Sequence, residues 1–304
     1  MGSRAWARSY GGGASFAVIP RFVPCVLYFP GAVVSILPAC FLAGVVMNWN
    51  LILNFTRQDL VDRHSASVLG AAWTFILPLI NILIFTLVFS RIMGMRLGGL
   101  GQDLGPYGYS IYLVSGLLAW NCFSATLMRV TQVFHEKAHL IGKVRLSLWS
   151  LPVYVVLSET VLYLISTSFF MVFLLAIGFD FSLRLLWWIP TFLGMQLLAF
   201  SMGLVCAILS VFLRDIKEMV GVVMQLWFWL TPIVYVPGIL PDSVQTLLQL
   251  NPFYHFANAY RSALLGTEPP SLIALGLLTL IAVCMLVGAI WVGRRLERDI
   301  RDFL

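Results

Sequence analysis

Charged residues are scarce in this chain. Only 11% of its 304 residues are Asp, Glu, Lys or Arg, whereas 60% are hydrophobic, a balance far from that of soluble globular domains. The net charge of +6 comes without any dense basic run, and the charges stand at the ends of apolar segments. These features argue against a soluble enzyme and against nucleic acid as a partner, and they favour an integral membrane protein.

Several motifs of enzymes and metalloproteins are also missing. The sequence has no Gly-x-x-x-x-Gly-Lys-Ser/Thr loop and no soluble stretch long enough for a nucleotide domain, so any ATP and Mg²⁺ must be bound by another polypeptide. The four histidines share no metal-ligand spacing, so we predict no metal site and no cofactor in this chain. The cysteines form no CxxC pair and are predicted to be small buried hydrophobic residues: Cys25, Cys40, Cys122, Cys206 and Cys284.

The longest informative stretch runs from Arg214 to Gly266. It carries no charge from Met219 to Pro241, and Pro232, Pro237 and Pro241 interrupt this apolar run. Because proline breaks a helix, a straight membrane-spanning helix should end near Leu230. Irregular backbone at membrane depth must be buried in protein or line a cavity, so residues 233–260 are predicted to form a re-entrant or interfacial hairpin.

Long apolar segments predict an all-α integral membrane protein with six transmembrane helices. The predicted spans are residues 65–90, 104–128, 148–178, 185–213, 219–230 and 270–292. An amphipathic helix over residues 48–64 precedes them, with Trp49, Ile52, Leu53, Thr56 and Leu60 on one face and Asn50, Asn54, Arg57 and Asp62 on the other. This helix is expected to lie in the membrane interface, although a solvated leader helix is the alternative.

The distribution of basic residues predicts the orientation. From Met47 onward, twelve Lys and Arg residues fall on one side of the six predicted spans and four on the other. By the positive-inside rule, both termini are expected in the cytoplasm. Residues 1–46 fit this scheme poorly, because Arg4, Arg8 and Arg21 precede a proline-interrupted apolar run. We therefore divide the chain into an N-terminal extension (1–46), either translated or a mispredicted start, and a membrane domain (47–304).

A family resemblance rests on motifs in a fixed order. Arg214-Asp215 stands at the foot of a span, followed by Thr231-Pro232, Asn251-Pro252 and Tyr260-Arg261, and residues 63–78 read RHSASVLGAAWTFILP. Over residues 48–290, this pattern resembles the permeases of ABC-2 type polysaccharide exporters, which move lipid-linked O-antigen, capsule or teichoic acid chains. The resemblance implies a bacterial cytoplasmic membrane protein with three partners: an ABC ATPase subunit, a second copy of itself and a lipid-linked polysaccharide.

The resemblance also implies a docking site for the ATPase in the loop between the second and third spans. The segment 133–144 alternates apolar and charged residues, and we predict a cytoplasmic helix that connects the two spans. Its predicted coupling residues are Phe134, Glu136, Lys137, His139, Leu140 and Lys143. The N-terminal helix is expected to close the cytoplasmic entrance through Arg57, Asp62 and Arg63. The alternative for the connecting segment is a solvated linker.

Aromatic residues and one buried acid are the candidates for the translocation path. Flat rings stack on sugar faces, and two predicted spans carry them at Trp120, Phe123, Trp227, Phe228 and Trp229. Packing within the bundle is the alternative role of such rings. Glu159 lies about ten residues inside the third span, where an ionisable group indicates function. The alternative is that its side chain extends to the membrane interface.

Three other functions remain open at this point. An ABC-2 type exporter of a drug or lipid is the first alternative. A multi-span membrane glycosyl- or acyltransferase would need catalytic loop residues, for which Asp242 and His255 are the only pair. A purely structural scaffold is the third possibility.

Overall fold

The computed structural model describes residues 49–63, 69–88, 107–141, 148–266 and 270–303. Within these ranges the chain is helical with connecting loops and contains no strand, which confirms the all-α class. The predicted extension 1–46, the segment between the first two predicted spans, and Lys143 lie outside the described residues.

Eleven α-helices lie within the described residues. They are α1 (Trp49–Asp62), α2 (Trp73–Thr86), α3 (Gly108–Glu136), α4 (Ala138–Ile141), α5 (Ser150–Ala176), α6 (Trp188–Phe212), α7 (Ile216–Leu230), α8 (Asp242–Leu248), α9 (Pro252–Leu265), α10 (Leu272–Arg295) and α11 (Glu297–Phe303). Short 3-10 turns precede α2 at Gly70–Ala72, α6 at Leu183–Trp187 and α8 at Pro237–Ile239.

Four helices in the described part of the chain are long and apolar enough to cross a membrane, namely α3, α5, α6 with its preceding turn, and α10. The predicted first and fifth spans correspond to α2 and α7, which have only 14 and 15 residues. A helix of that length covers roughly 20–23 Å, less than a hydrocarbon core of about 30 Å. The expected helix end at Leu230 is confirmed, whereas six crossings and a re-entrant hairpin remain predictions.

The second span extends further than its apolar sequence indicated. A single helix, α3, runs from Gly108 to Glu136. The prediction that a separate helix begins at Val133 is therefore wrong, because Val133 belongs to α3. The physical reason is that Val130, Val133 and Phe134 bury their side chains in the core and continue the helix past Arg129. The chain turns only at Lys137, and α4 follows with four residues.

The core is organised around α3. This helix packs against α5, α6, α7 and α9, and α6 in turn packs against α10. Close approach of α3 and α6 depends on Gly203, since a Cβ atom at this position would lie 2.9 Å from Cβ of Val130. Small residues serve this purpose in membrane bundles because lipid gives little hydrophobic driving force for helix association.

The outward surfaces of several helices are apolar. On α10, Ile273, Leu277 and Leu280 are exposed, as expected for a helix that contacts membrane lipids. Of the cysteines, Cys122 is buried, Cys206 is half-buried and Cys284 is exposed. The prediction of buried cysteines is therefore confirmed for Cys122 and wrong for Cys284, which lies on the outer side of α10, while Cys25 and Cys40 lie outside the described residues.

The α3–α6 contact generates a testable expectation. Gly203→Ala should destabilise the bundle because its new methyl group meets Val130, and overpacking of this kind costs about 1–3 kcal/mol. Gly276→Ala is the matched control, since a Cβ atom on that part of α10 meets nothing within 4 Å. Thermal unfolding in detergent should show a lower Tm for the first variant only, and equal Tm values would contradict the close α3–α6 contact.

Candidate functional site

Four charged side chains form a cluster between α1, α3 and α5. Arg129 binds Asp59 with both terminal nitrogens, at 2.5 Å (Nη2–Oδ1) and 3.1 Å (Nη1–Oδ2). Arg129 Nη1 and Arg63 Nη2 also donate to the same Glu159 oxygen, Oε1, at 2.8 and 2.5 Å. Arg63 closes the cluster by donating to Asp59 Oδ2 at 3.3 Å. The two positive and two negative charges cancel, so four ionised groups share one partly buried site.

Local helix geometry brings the N-terminal members of this cluster together. Ile52, Thr56, Asp59 and Arg63 recur at spacings of three or four residues and so share one face of α1. Ile52 and Thr56 are buried, and this face packs against α5. The Thr56 hydroxyl donates a hydrogen bond to the carbonyl oxygen of Ile52 within α1. It also lies 3.5 Å from the carbonyl oxygen of Tyr154 on α5. The face that carries the ion pairs is therefore the face that attaches α1 to the bundle.

The charges of the arginines keep Asp59 ionised. Burial raises the pKa of the Asp59 carboxyl, but the hydrogen bond and charge of Arg129, together with the charge of Arg63, outweigh burial and lower its pKa below the ordinary value. Asp59 is thus negatively charged at neutral pH. A carboxylate with an unperturbed pKa near 4 would also be ionised there, so the lowered pKa is a consequence of the ion pairs and does not change the charge of Asp59 at neutral pH.

Only one of the three predicted gate residues belongs to this cluster. Arg63 binds Glu159, whereas Arg57 and Asp62 are exposed on the other side of α1. Of the predicted apolar face, Ile52 and Thr56 are buried against the bundle, whereas Trp49 and Leu53 are exposed. The true buried stripe runs through Asp59, which the sequence pattern had not singled out.

Glu159 is the most deeply placed member. Its side chain is 4% exposed, so the alternative of a side chain reaching the interface is not what the structure shows. Glu159 and Arg63 both line a cavity of about 460 Å³ between α2, α3 and α5. The ion pairs therefore border an open cleft in the bundle.

The predicted path aromatics pack mainly on one another. The ring of Phe253 on α9 lies 4.9 Å from that of Trp120 and 5.2 Å from that of Phe123, and Trp227 lies 5.4 Å from Phe123. Phe228 joins the group at 5.7 Å from Trp120. Trp120 and Phe123 are buried in the core of this chain, which agrees with the packing alternative, while Trp229 is exposed.

A buried arginine supports the irregular backbone after α7. Arg261 donates to the carbonyl oxygens of Pro232 at 2.8 Å, Ile233 at 3.1 Å and Tyr112 at 3.4 Å. Its guanidinium lies 3.6 Å from the centre of the Tyr112 ring, a cation–π contact. Gly116 makes room for it, because a Cβ atom there would lie 2.7 Å from Arg261 Nη2. One side chain thus satisfies carbonyls that the end of α7 leaves without helical donors.

Tyrosine hydroxyl groups also bind backbone carbonyls of the irregular segment after α7. The Tyr112 hydroxyl lies 3.1 Å from the carbonyl oxygen of Pro232 and 3.0 Å from that of Tyr235. Tyr109 donates to the carbonyl of Val234. Carbonyl groups that leave a helix in apolar surroundings need such donors.

The other motif residues meet at the start of α9. Asn251 accepts from Trp227 Nε1 at 2.8 Å and from the backbone N–H of Phe253 at 3.0 Å, and it donates to Thr231 Oγ1 at 2.8 Å. It is the N-cap of α9, and Pro252 occupies the first helical position. Thr231-Pro232, Asn251-Pro252 and Arg261 therefore act together to hold the turn between α7 and α9, whereas Arg214 and Asp215 are exposed where α6 meets α7.

The predicted coupling residues divide into two groups. Phe134 is 1% exposed within this chain's own core, so its side chain is not presented to a partner. Glu136 and His139 are exposed, and Lys137 and Leu140 are half-buried. Ile141 is buried and attaches α4 to the bundle, which leaves the residues before it facing outward.

The thin catalytic pair of the transferase alternative does not form a hydrogen-bonded pair. His255 Nε2 lies 2.8 Å from the carbonyl oxygen of Gln249, and no hydrogen bond between Asp242 and His255 occurs among the described residues. Asp242 begins α8. A nucleophile or general base would need a partner that orients it.

Sequence reasoning missed Asp59 and Arg129. A signal for Asp59 was present in the spacing Ile52, Thr56, Asp59 and Arg63, which fits a helical face as well as the stripe that included Leu60. Arg129 and Glu159 were each visible as charges at or within predicted spans on neighbouring segments. Opposite charges in adjacent spans tend to pair, but only the packing of α3 on α5 shows that these two meet.

Comparison with known proteins gives a consistent result. The family model described as ABC-2 type transporter matches residues 50–265. An O-antigen export system permease protein RfbA of Klebsiella pneumoniae is 25% identical over 214 residues, covering 70% of this chain and 79% of the relative. A protein of the same name from Myxococcus xanthus is 26% identical over 255 residues, covering 81% of this chain and 93% of the relative.

The charge cluster generates the first prediction of this site. Arg129→Ala leaves Asp59 and the buried Glu159 with Arg63 as their shared cation, so we expect destabilisation. Breaking a fully buried pair costs about 3–5 kcal/mol, and we expect about 2–3 kcal/mol here because Arg129 is partly exposed. Arg57→Ala on the exposed side of α1 should change stability by less than about 0.5 kcal/mol. Equal Tm values for the two purified variants would show that the cluster does not attach α1.

Arg261 generates the second prediction. In Arg261→Lys the charge remains, but an ammonium lacks the planar fork that reaches carbonyls on three residues. Since each buried hydrogen bond to a charged group contributes about 1.5–3 kcal/mol, the loss should be at least about 3 kcal/mol. Arg184→Lys is the control, at an exposed arginine whose hydrogen bond among the described residues goes to the Gly266 carbonyl at 3.3 Å. The Tm in detergent should fall for Arg261→Lys alone, and unchanged unfolding would refute this support.

Proposed function

This chain belongs to the ABC-2 type transporter family, and from that membership we propose that it is the permease subunit of an ATP-driven exporter of a lipid-linked polysaccharide. As a member of this family it is a multi-pass membrane protein and a transport subunit. The membrane transferase considered from the sequence is thereby set aside, as is the structural scaffold.

The observation that carries the proposed cargo is the similarity to O-antigen export permeases. Two such relatives match over most of this chain, and the Myxococcus protein over 93% of its own length. Of the motif residues that carried the family resemblance, Arg261 contacts Pro232 and Asn251 contacts Thr231. An exporter of a drug or another lipid is the alternative, and the experiment below distinguishes it.

The family implies an ABC ATPase as partner. The sequence of this chain contains no phosphate-binding loop, so we propose that the partner binds ATP and Mg²⁺. Force from the ATPase must reach the helices through a rigid element joined to two of them. The C-terminal end of α3 together with α4 fits this role, because it lies in the chain between the long helices α3 and α5. Glu136, His139 and Leu140 lie at its surface.

The proposed topology has six crossings, with α2 and α7 added to the four long helices. Both termini are placed in the cytoplasm of a bacterial inner membrane, in accord with the distribution of Lys and Arg. We further propose that two copies form the working unit. Exposed apolar side chains on α7, among them Val222, Leu226 and Trp229, are available to such an interface or to lipid.

The coupling role gives a prediction with matched variants. Leu140→Asp should leave the bundle folded, because this side chain is half-buried at the surface, and should abolish association with the ATPase subunit, since apolar anchors concentrate binding energy. Leu183→Asp, at an 85% exposed leucine between α5 and α6 at the opposite end of α5, should associate normally. Lys137→Ala should weaken association little, as a single ion pair at a protein surface contributes about 0–1 kcal/mol.

Two measurements check it. Co-purification of the ATPase subunit with each variant reports docking, and ATP-dependent movement of a fluorescent lipid-linked polysaccharide in vesicles reports export. Full association and export by Leu140→Asp would show that force enters elsewhere. Transport of a phospholipid or a hydrophobic drug in place of the polysaccharide by the wild-type complex would favour the alternative cargo. Phe134→Asp is unsuitable here, since that residue is in the core.

A further inference from the structure

Helix α11 lies against the short helix α4. Arg301 Nη1 is 3.5 Å from the carbonyl oxygen of Ile141, in the last turn of α4, where carbonyls commonly need donors from outside the helix. Arg301 Nη2 also binds Glu297 Oε1 within α11 at 3.2 Å. The guanidinium is therefore held between its own helix and the end of α4, and one side chain connects the two helices.

Apolar contacts fix the position of α11. Ile300 is 1% exposed and belongs to the same core as Phe134 and Ile141. Helix α11 also packs against α6, and the ring of Phe303 lies 5.4 Å from that of Phe212 at the end of α6. Contacts with both α4 and α6 thus determine where α11 lies.

The ends of α3 and α6 meet at the same place. His135 Nε2 lies 2.9 Å from the carbonyl oxygen of Ser210 on α6, and the Ser210 hydroxyl donates to the carbonyl oxygen of Thr131 on α3 at 3.0 Å. The end of α3 with α4, the end of α6, and α11 therefore contact one another in a closed triangle. Together they form one continuous surface at this end of the bundle.

An exposed aromatic residue stands on this surface. Phe303 is 69% exposed, and Asp299, four residues earlier, shares its face of α11. Arg298, Asp299 and Asp302 are exposed as well. Because charged groups are excluded from hydrocarbon, Phe303 lies at the level of polar groups. A large exposed aromatic side chain with a charged rim is typical of a surface that binds another protein.

The location of this surface favours one partner. The family implies an ABC ATPase subunit, whose proposed docking place, α4, is the helix that Arg301 contacts. A protein that covers the exposed residues of α4 also meets α11, since the two helices touch. Its matching surface has an apolar recess for Phe303 and basic residues that face Asp299 and Asp302.

We propose that α11 is part of the surface that binds the ATPase subunit, with Phe303 as the apolar anchor and Arg301 as a positioning residue that holds α4 beside it. The inference rests on the proposed function, because it enlarges the docking surface assigned there to α4. Through α11 a movement of the ATPase acts on α6 as well as on α3, since α11 packs against α6.

Binding of the purified cognate ATPase subunit to the permease in lipid nanodiscs tests the anchor. Phe303→Ala should weaken the affinity by at least about tenfold, as expected for an aromatic anchor. The Tm should stay unchanged, because the side chain is mostly exposed. Equal affinities of Phe303→Ala and the wild type would overturn the proposal.

Phe181→Ala is the matched control. Phe181 is 43% exposed, and its ring lies 5.5 Å from that of Phe179, much as Phe303 contacts Phe212. It follows the end of α5 that is remote from α4. This variant should bind the ATPase subunit like the wild type, and a loss of affinity equal to that of Phe303→Ala would overturn the assignment of the anchor to α11.

Two variants of Arg301 test the positioning role. A lysine can still donate to the Ile141 carbonyl and pair with Glu297, so Arg301→Lys should keep the affinity within about twofold of the wild type, whereas Arg301→Ala should weaken it by about fivefold. A lower Tm of Arg301→Ala with unchanged affinity would show a merely structural role and would refute positioning by Arg301.

Photocrosslinking distinguishes the ATPase from the membrane surface. The crosslinking amino acid p-benzoylphenylalanine replaces Phe303 or, as the control, Phe181, and the complex with the ATPase subunit is irradiated in nanodiscs. Crosslinks to the ATPase should form from position 303 and not from position 181. Crosslinks from position 303 to lipid alone would show that α11 lies on the membrane and would overturn the proposal.

These assays measure binding and require no transport, so the two proposals fail separately. Loss of ATPase binding in Phe303→Ala, together with no polysaccharide export by the wild-type complex, would refute only the export function. Polysaccharide export by the wild-type complex, with an affinity that Phe303→Ala does not change, would refute only the docking role of α11.

Discussion

A polar group surrounded by apolar residues must have a partner, and this constraint shapes the described part of the chain. Its clearest expression is Arg261. Where α7 ends, the carbonyls of Pro232 and Ile233 have no helical donor, and the buried guanidinium supplies both. Gly116 is needed because any side chain there would displace that guanidinium. The irregular segment after α7 is thus held in place by residues from α3 and α9.

The same constraint explains how α1 is attached. Asp59 and Glu159 are carboxylates with little access to solvent, and Arg129 and Arg63 neutralise them. Because these residues come from α1, α3 and α5, and from the turn after α1, the ion pairs connect an amphipathic helix to two long helices. A transporter must move its helices relative to one another, and a neutral cluster at such a junction can exchange partners without exposing a lone charge to an apolar environment.

The proposed function assigns different surfaces of this chain to different partners. The exposed end of α3 with α4 is the proposed docking place for the ATPase, and the outward apolar faces of α7 and α10 are available to lipid or to a second copy. The aromatic group around Trp120 and Phe253 has a supporting role, since its rings fill the space between α3, α7 and α9. Trp120, Phe123 and Phe253 are buried, so packing within the bundle accounts for the positions of these three rings.

The sequence by itself determined the helical membrane class, the positions of the long spans and the helix end at Leu230, because these depend on local properties such as run length, missing charge and proline. The family motifs were also visible, and so was Glu159 as an acid inside a span. Only the tertiary structure decided that Asp59 and Arg129 complete the site, that Phe134 lies in the core, that α3 continues to Glu136, and that Arg261 supports the break after α7. Those outcomes depend on contacts between residues up to 149 positions apart, and periodicity along one helix contains no information about which neighbour faces it.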